Sequence, residues 1–370
     1  MPSRIAFLFL GETLLIPHLY PVMEALARRG AGVAIDCWVA TGVHERLIAG
    51  WLADAGLARH VRLRRAPGWR ALSHLRHGEN PPLGSKLPML LRLAPRLLSA
   101  RIVVCAEQTS LWLPRAFPFL SMRFVKTSHG VGSMSARDDP RRRAAYRMLV
   151  PSELERATYL DRGFAPERVI ATGYVKSAFR PAARARPFDG SRPVLVYAPH
   201  WQRHRSSWWA WGREIVAMLA AQDRFDVILA PHQRLAERDP ASRAVLAAAA
   251  GRHVHIAGDD FNRVDGTHMA AADLYLGDTS SQIVEYLANP RPCVFLNPGR
   301  VDWRATDDHD FWACGEVVDR LEALFDALAR AVVEHPRYVD LQRAYAVASL
   351  GVTGSRAAEN AADAVLAALA

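Results

Sequence analysis

Residues 273–286, DLYLGDTSSQIVEY, put an apolar run, a polar turn and the start of a helix side by side. Leu274, Tyr275 and Leu276 make a run of the length expected for a buried strand, and Gly277 ends it. Asp278, Thr279, Ser280 and Ser281 then place an acid and three hydroxyls in a row, where Gln282 to Tyr286 takes up a helical pattern. A strand that leaves a core, turns and feeds a helix is the building unit of an α/β fold.

The same unit recurs along the chain. Working outward, apolar runs predict strands at 5–12, 31–40, 101–107, 123–129, 147–151 and 168–173, and again at 193–199, 225–231, 253–258, 273–278 and 291–298. Between the first two lies a helix ending at Gly30. Ser152 and Glu155 read as a capping box that opens a helix stopped by Gly163. Residues 176–193, KSAFRPAARARPFDGSRP, have no period and read as a linker. At 370 residues the chain exceeds the usual size of a single core. The expected fold class is therefore α/β, with two Rossmann-like domains facing across a cleft. They are predicted over residues 1–185 and 186–370, with the Ala-rich helix of the tail in the second. No internal repeat of 20–50 residues is present.

Bulk properties narrow the classes. Half the residues are hydrophobic and 23% are charged, which is globular composition. No apolar run approaches the roughly 18 residues that span a bilayer, and the N-terminal run before Glu12 is too short for a signal peptide. Cys37, Cys105, Cys293 and Cys314 are scattered without a C-x-x-C, so buried thiols in a reducing cytoplasm are expected. The net charge of +10 suits phosphates, anionic lipids or nucleic acid. No nucleic-acid motif accompanies it, so nucleic acid is not expected as a partner.

In open α/β sheets ligands sit beyond the carboxyl ends of the strands, and four such ends carry polar residues. They place His129 and Gly130 after one strand and His200, Trp201, Arg203 and Arg205 after another. His232 follows a third, and Asp278 to Ser281 a fourth. Free N–H groups at a helix start favour an anion, and the hydroxyls of Ser280 and Ser281 add donors; the competing role for one of them is an N-cap. Asp278 would repel a phosphate it pointed at, so it is expected to orient a neighbour or contact a sugar hydroxyl. Gly130 and Gly132 let backbone approach a ligand. The imidazole of His129 suits removal of a proton from an alcohol. His232 suits donation to a phosphoryl oxygen. Arg203 and Arg205 suit a bidentate clamp on a pyrophosphate or, alternatively, a solvated loop.

The order of these residues resembles the CDP-glycerol glycerophosphotransferase family, which includes primases and polymerases of teichoic acid assembly. The resemblance runs over roughly residues 120–360. It rests on His129-Gly130 after a strand, Tyr197-Ala198-Pro199 with Trp201, Pro231-His232, Asp278 with Ser280-Ser281, and Gly354-Ser355-Arg356 before the last helix. It implies a GT-B-like architecture and transfer of glycerol phosphate, or a related polyol phosphate, from a CDP-activated donor to an acceptor hydroxyl, with release of CMP. It further implies His129 as general base, and His232, Ser280 and Ser281 on the donor phosphates. The chain departs from the family where a Thr-Pro pair and a Lys usually follow His-Gly; here Val131-Gly132-Ser133-Met134 stand. His200 replaces a Thr and Thr279 replaces a Tyr.

No Asp-x-Asp pair ends a strand, so neither metal nor other cofactor is expected. Residues 59–101 hold ten Arg or Lys and only Glu79 as an acid. Mixed with Leu in SKLPMLLRLAPRLL, these cations suit an anionic membrane surface, although Pro88 and Pro95 argue against one long amphipathic helix. The expected location is the cytoplasm, peripheral to the inner face of the cell membrane. At least two of the four Trp in WQRHRSSWWAWGR are expected in the core. The acceptor stays open among lipid-linked saccharides, glycans, lipid headgroups and polyol-phosphate chains. The rival readings are a GT-B glycosyltransferase with Glu285 on the donor ribose, a nucleotide-sugar 2-epimerase, which calls for carboxylates at strand ends, and a non-catalytic binder.

Overall fold

The computed structural model describes residues 3–30, 32–72, 74–75, 79–132, 139–179, 186–258 and 261–370. Two compact units divide the chain, Met1–Arg180 with Ala348–Ala370, and Pro181–Val347. The stretch 180–185 of the expected linker, and Ser133 and Met134 after His-Gly, lie outside the described residues.

The first unit carries β1 (Arg4–Phe9), β2 (Ala34–Thr41), β3 (Val61–Arg70), β4 (Ile102–Cys105), β5 (Arg123–Thr127), β6 (Arg147–Val150) and β7 (Val169–Ala171). They form one parallel sheet in the order β3-β2-β1-β4-β5-β6-β7. The second unit carries β8 (Val194–Ala198), β9 (Asp226–Leu229), β10 (Val254–Ile256), β11 (Leu274–Gly277), β12 (Cys293–Leu296) and β13 (Glu316–Val318). Their order, again parallel, is β10-β9-β8-β11-β12-β13. The central strands are buried on both faces: β4, β8, β11 and β12 are buried throughout. That is why they stand out in the sequence as unbroken apolar runs.

The two strands absent from the sequence reading, β3 and β13, are both edges. An edge strand needs one apolar side at most, so β3 carries Arg62, Arg64, Arg65 and Arg70 and shows no run. Much of the basic segment thus forms a sheet edge. The rest includes a helix, Lys86–Leu97, which continues through both prolines. Pro88 lies in its first turn, where no N–H is required, and Pro95 lies near its end. Met89, Leu90, Leu93 and Leu97 enter the core, while Leu87, Leu91 and Leu98 stay exposed.

One domain assignment is corrected. The terminal helix Ser355–Leu366 belongs to the first unit, not the second. It lays its Ala face on the helix Tyr20–Arg29, and Arg29 pairs with Asp363. Arg147 donates to the Ala364 carbonyl at 2.9 Å, and Arg123 donates to that of Ala368 at 2.7 Å. The turn leading into it docks on Gly173 (φ 102°), whose position has no room for a Cβ: one would lie 2.4 Å from the Val352 oxygen.

All four cysteines are buried and free. Trp208 is buried in the core of the second unit, and Trp201, Trp209 and Trp211 pack partly buried at its margin. Among the described residues no helix is long and apolar enough to cross a membrane.

Candidate functional site

The strand order of the second unit reverses between β8 and β11, the place where an open α/β sheet leaves a crevice for a ligand. Gly277 sits opposite Ala198 in the register there, and a Cβ on Gly277 would lie 3.0 Å from the Ala198 oxygen. This close approach brings the loop after β11 against the loop after β8.

Asp278 joins the two loops. Its carboxylate, buried, accepts the His200 N–H at 2.8 Å and the Ser207 N–H at 3.0 Å. The acid in the DTSS turn therefore faces inward and braces the neighbouring loop. Burial pushes the Asp278 carboxyl up to about 7, against the opposing pull of the donors from His200, Ser207 and Ser206. Ser206 in turn donates to the His200 carbonyl, and the hydroxyls of Tyr197 and Ser207 meet at 2.9 Å. Ser206 and Ser207 act through Asp278, a link that only the packed loops reveal.

The hydroxyls divide their roles. Thr279 is buried, and its Oγ1 has no hydrogen-bond partner. Ser280 is the N-cap: its Oγ accepts the Gln282 N–H at 3.3 Å. Ser281 opens the helix Ser281–Leu287 and stays half-buried. Glu285, one turn further in, lies beside Gly266.

His200 and His232 end β8 and β9 with ring centroids 5.2 Å apart, and Trp201 flanks both at 5.9 and 6.1 Å. The two rings share a geometric device. Nδ1 of His200 accepts the Gln202 N–H at 3.1 Å, and Nδ1 of His232 accepts the Arg234 N–H at 3.1 Å. A backbone N–H can only donate, so the neutral form of each ring must carry its proton on Nε2. Both imidazoles are thus fixed as Nε2–H donors. Arg234 and Arg238 lie over the Trp201 ring at 5.1 and 5.5 Å.

The two arginines of the expected clamp lie together on the loop after β8. Arg203, exposed, stacks over Trp209 at 4.0 Å. Arg205 donates from Nε to His204 Nε2 at 3.2 Å. Both belong to a short 3-10 turn, Arg203–Arg205.

In the first unit His129 and Gly130 follow β5 and are half-buried. Burial, then the charges of Lys126 and Arg142, hold the His129 imidazole down to about 3. Carboxylates also stand at this unit's strand ends. Glu107, after β4, is buried against Lys86 Nζ at 2.8 Å and accepts from Ser110 at 2.9 Å. Glu155 accepts from Ser128 at 3.1 Å. Among the described residues no group of three or more His, Cys, Asp or Glu could hold a metal ion.

No family model matches the chain. No curated protein matches it either. Among solved structures it is similar to the wall teichoic acid polymerase TagF, with a TM-score of 0.64 at 12% identity over 99% of this chain and 89% of that one. TagF has also been solved with CDPG. The chain is similar to S. aureus MnaA in a co-structure with UDP, with a TM-score of 0.62 at 11% identity over 97% and 94%. A UDP-GlcNAc 2-epimerase from Neisseria meningitidis bound to UDP-GlcNAc gives a TM-score of 0.57 at 13% identity over 100% and 99%. Likeness at this identity carries the fold, and the fold is two parallel-sheet α/β domains of the GT-B type.

Proposed function

We propose that the protein is a transferase that takes glycerol phosphate, or a related polyol phosphate, from a CDP-activated donor to a hydroxyl of a cell-envelope acceptor. The observation that carries this reading is the pair His200 and His232, each with Nδ1 taken by a backbone N–H, at the switch point of the second sheet. Two imidazoles beside the Ser280-Ser281 turn suit phosphoryl oxygens that gain charge during transfer. Thr279 and its orphaned hydroxyl adjoin the same turn.

In this mechanism the acceptor oxygen attacks the phosphorus that bears the glycerol. The bond from that phosphorus to the CMP oxygen breaks, and CMP leaves with the electron pair. His129 takes the acceptor proton. With its pKa near 3 the ring is neutral and open to a proton, but it is a weak base. A bound phosphate, by countering Lys126 and Arg142, raises that basicity when substrate is present. His232 donates to the donor phosphates, and the half-buried Ser281 lies at the helix start beside them.

Calorimetric titration with CDP-glycerol, CDP, UDP and a UDP-sugar tests the donor, on wild type and Ser281→Ala. Selective cytidine binding that weakens in the variant is the expected result. Preference for a uridine nucleotide-sugar replaces the reading with a glycosyltransferase or epimerase, and binding of neither overturns the choice of donor.

We also propose that the first unit rests on an anionic membrane surface. Leu87, Leu91 and Leu98 are exposed beside Arg92 and Arg96, and the neighbouring segment exposes Trp112 and Phe119. Cations contribute about 1 kcal/mol each near such a surface. The protein is expected to float with vesicles rich in anionic lipid and to remain at the bottom of the gradient after Leu87→Glu with Leu91→Glu. Wild type remaining at the bottom removes the membrane from the reading.

A further inference from the structure

The first unit gathers three basic side chains and an imidazole at the ends of β5, β6 and β7. Lys126, Lys176, Arg142 and His18 are each more than nine-tenths buried. His18 ends the short helix Thr13–His18, which packs on Val175–Ala178, the turn that carries Lys176. Its ring meets that of Tyr174 edge-on at 5.8 Å. Lys126 Nζ donates to the Thr127 carbonyl at 2.8 Å. Arg142 lies over the Tyr159 ring at 5.6 Å and donates to its hydroxyl. The carboxylates that face Lys126 are Glu155, engaged by Ser128, and Asp139, held by Arg141 at 2.6 Å. Among the described residues, Lys126, Lys176 and Arg142 stand against the carboxylates of Glu155 and Asp139.

Two buried polar atoms here are orphaned. His18 Nδ1 and Thr127 Oγ1 have no hydrogen-bond partner. A polar atom buried without a partner carries a desolvation penalty that a ligand can relieve.

We propose that the strand ends of β5 to β7 form a second anion site, in which His129, His18, Lys126 and Lys176 hold a phosphoryl group. These residues belong to the first unit and the DTSS turn to the second. Assigning this site's phosphoryl group to the acceptor rests on the transferase reading; the site itself does not. The perturbed titrations agree with the geometry. Burial first, then Lys176, His129 and Lys126, hold the His18 imidazole well below its ordinary value. Burial first, then Arg142, draws the Lys126 ammonium down to about 8. An anion seated among these groups opposes each shift.

The test uses the full chain and inorganic phosphate. Imidazole resonances of His18 and His129 are followed by nitrogen-15 NMR during a phosphate titration, on wild type, Ser281→Ala, Lys176→Gln and Lys176→Arg. The expected result is that both rings respond and the pKa of His129 climbs. The same affinity is expected in Ser281→Ala, with weakening of about tenfold or more in Lys176→Gln and recovery in Lys176→Arg. The wild-type response needs no variant, so a misfolded Lys176→Gln does not decide the matter. Phosphate that leaves both rings unmoved overturns the site, as does phosphate binding that only Ser281→Ala abolishes; the latter is an adventitious ion at the donor turn only. A loss of CDP-glycerol binding while phosphate still moves His18 and His129 removes the transferase reading and leaves this site standing.

Discussion

The two units solve one problem with opposite charges. Both are parallel sheets with their candidate groups at the carboxyl ends of strands. In the second unit a buried carboxylate, Asp278, is surrounded by backbone donors and locks two loops together. In the first unit buried cations, Lys126 and Arg142, crowd a neutral imidazole, His129. Burial penalises the charged form in both, so Asp278 is pushed up and His129 is pushed down. The second unit is organised to hold its loops before any ligand arrives. The first is organised to gain from an anion.

This contrast breaks most sharply at backbone positions. Gly173→Ala puts a Cβ 2.4 Å from the Val352 oxygen and 2.8 Å from the Ala357 Cβ, at a φ of 102°. The expected cost is about 4 kcal/mol, confined to the first unit. Hydrogen exchange should show β5 to β7 losing protection while β8 to β11 keep theirs; equal loss in both would show that the units do not unfold separately.

Asp278→Ala is next. It leaves the His200 and Ser207 N–H groups buried without an acceptor, at an expected cost of about 3 kcal/mol in the second unit. Asp278→Asn keeps one acceptor and should recover part of that. Urea melts of the two variants, read through the second-unit Trp fluorescence, check it.

The pH response should differ in sign. His129 has a folded pKa of about 3 against an ordinary 6.5, so its contribution to stability is present above 6.5 and is lost as pH falls toward 3. Asp278 has a folded pKa of about 7 against 3.8, so its contribution is present below 3.8 and is lost as pH rises through 7. Between pH 7 and 5 the first unit should therefore weaken by about 2 kcal/mol from His129, while the second gains about as much from Asp278. Hydrogen exchange at both pH values, corrected for intrinsic rates, resolves the two; Asp278→Asn should abolish the second-unit gain. The smallest expected effect is Ser280→Ala, about 1 kcal/mol for the lost N-cap of Ser281–Leu287. A larger loss in donor binding than in stability would mean that Ser280 also touches the ligand.

Central strands were legible in the sequence because burial on both faces demands apolar residues throughout, as in Leu274 to Leu276. Edge strands β3 and β13 were not, because one solvated side admits Arg and Glu. Ser152 with Glu155 marked its helix start because a cap is a local bond, and the Ser152 Oγ accepts the Glu155 N–H at 3.3 Å. The terminal helix could not be assigned by position, since its Ala face fits whichever surface the chain returns to. Residues at strand ends, His129, His200, His232 and the DTSS turn, were visible as polar breaks after apolar runs. Lys126, Lys176 and His18 were not, because a basic residue inside a strand or short turn resembles any surface one until burial is known.

By itself the sequence determined two parallel α/β units and the chemistry offered at their strand ends, since alternation and composition are properties of the chain. Only the tertiary structure decided which of those groups act on one another. The inward turn of Asp278, the Nε2–H tautomers of His200 and His232, the return of the tail to the first unit and the buried cation cluster all depend on contacts between residues far apart in the chain. Such contacts are set by packing and desolvation, and neither is written in local spacing.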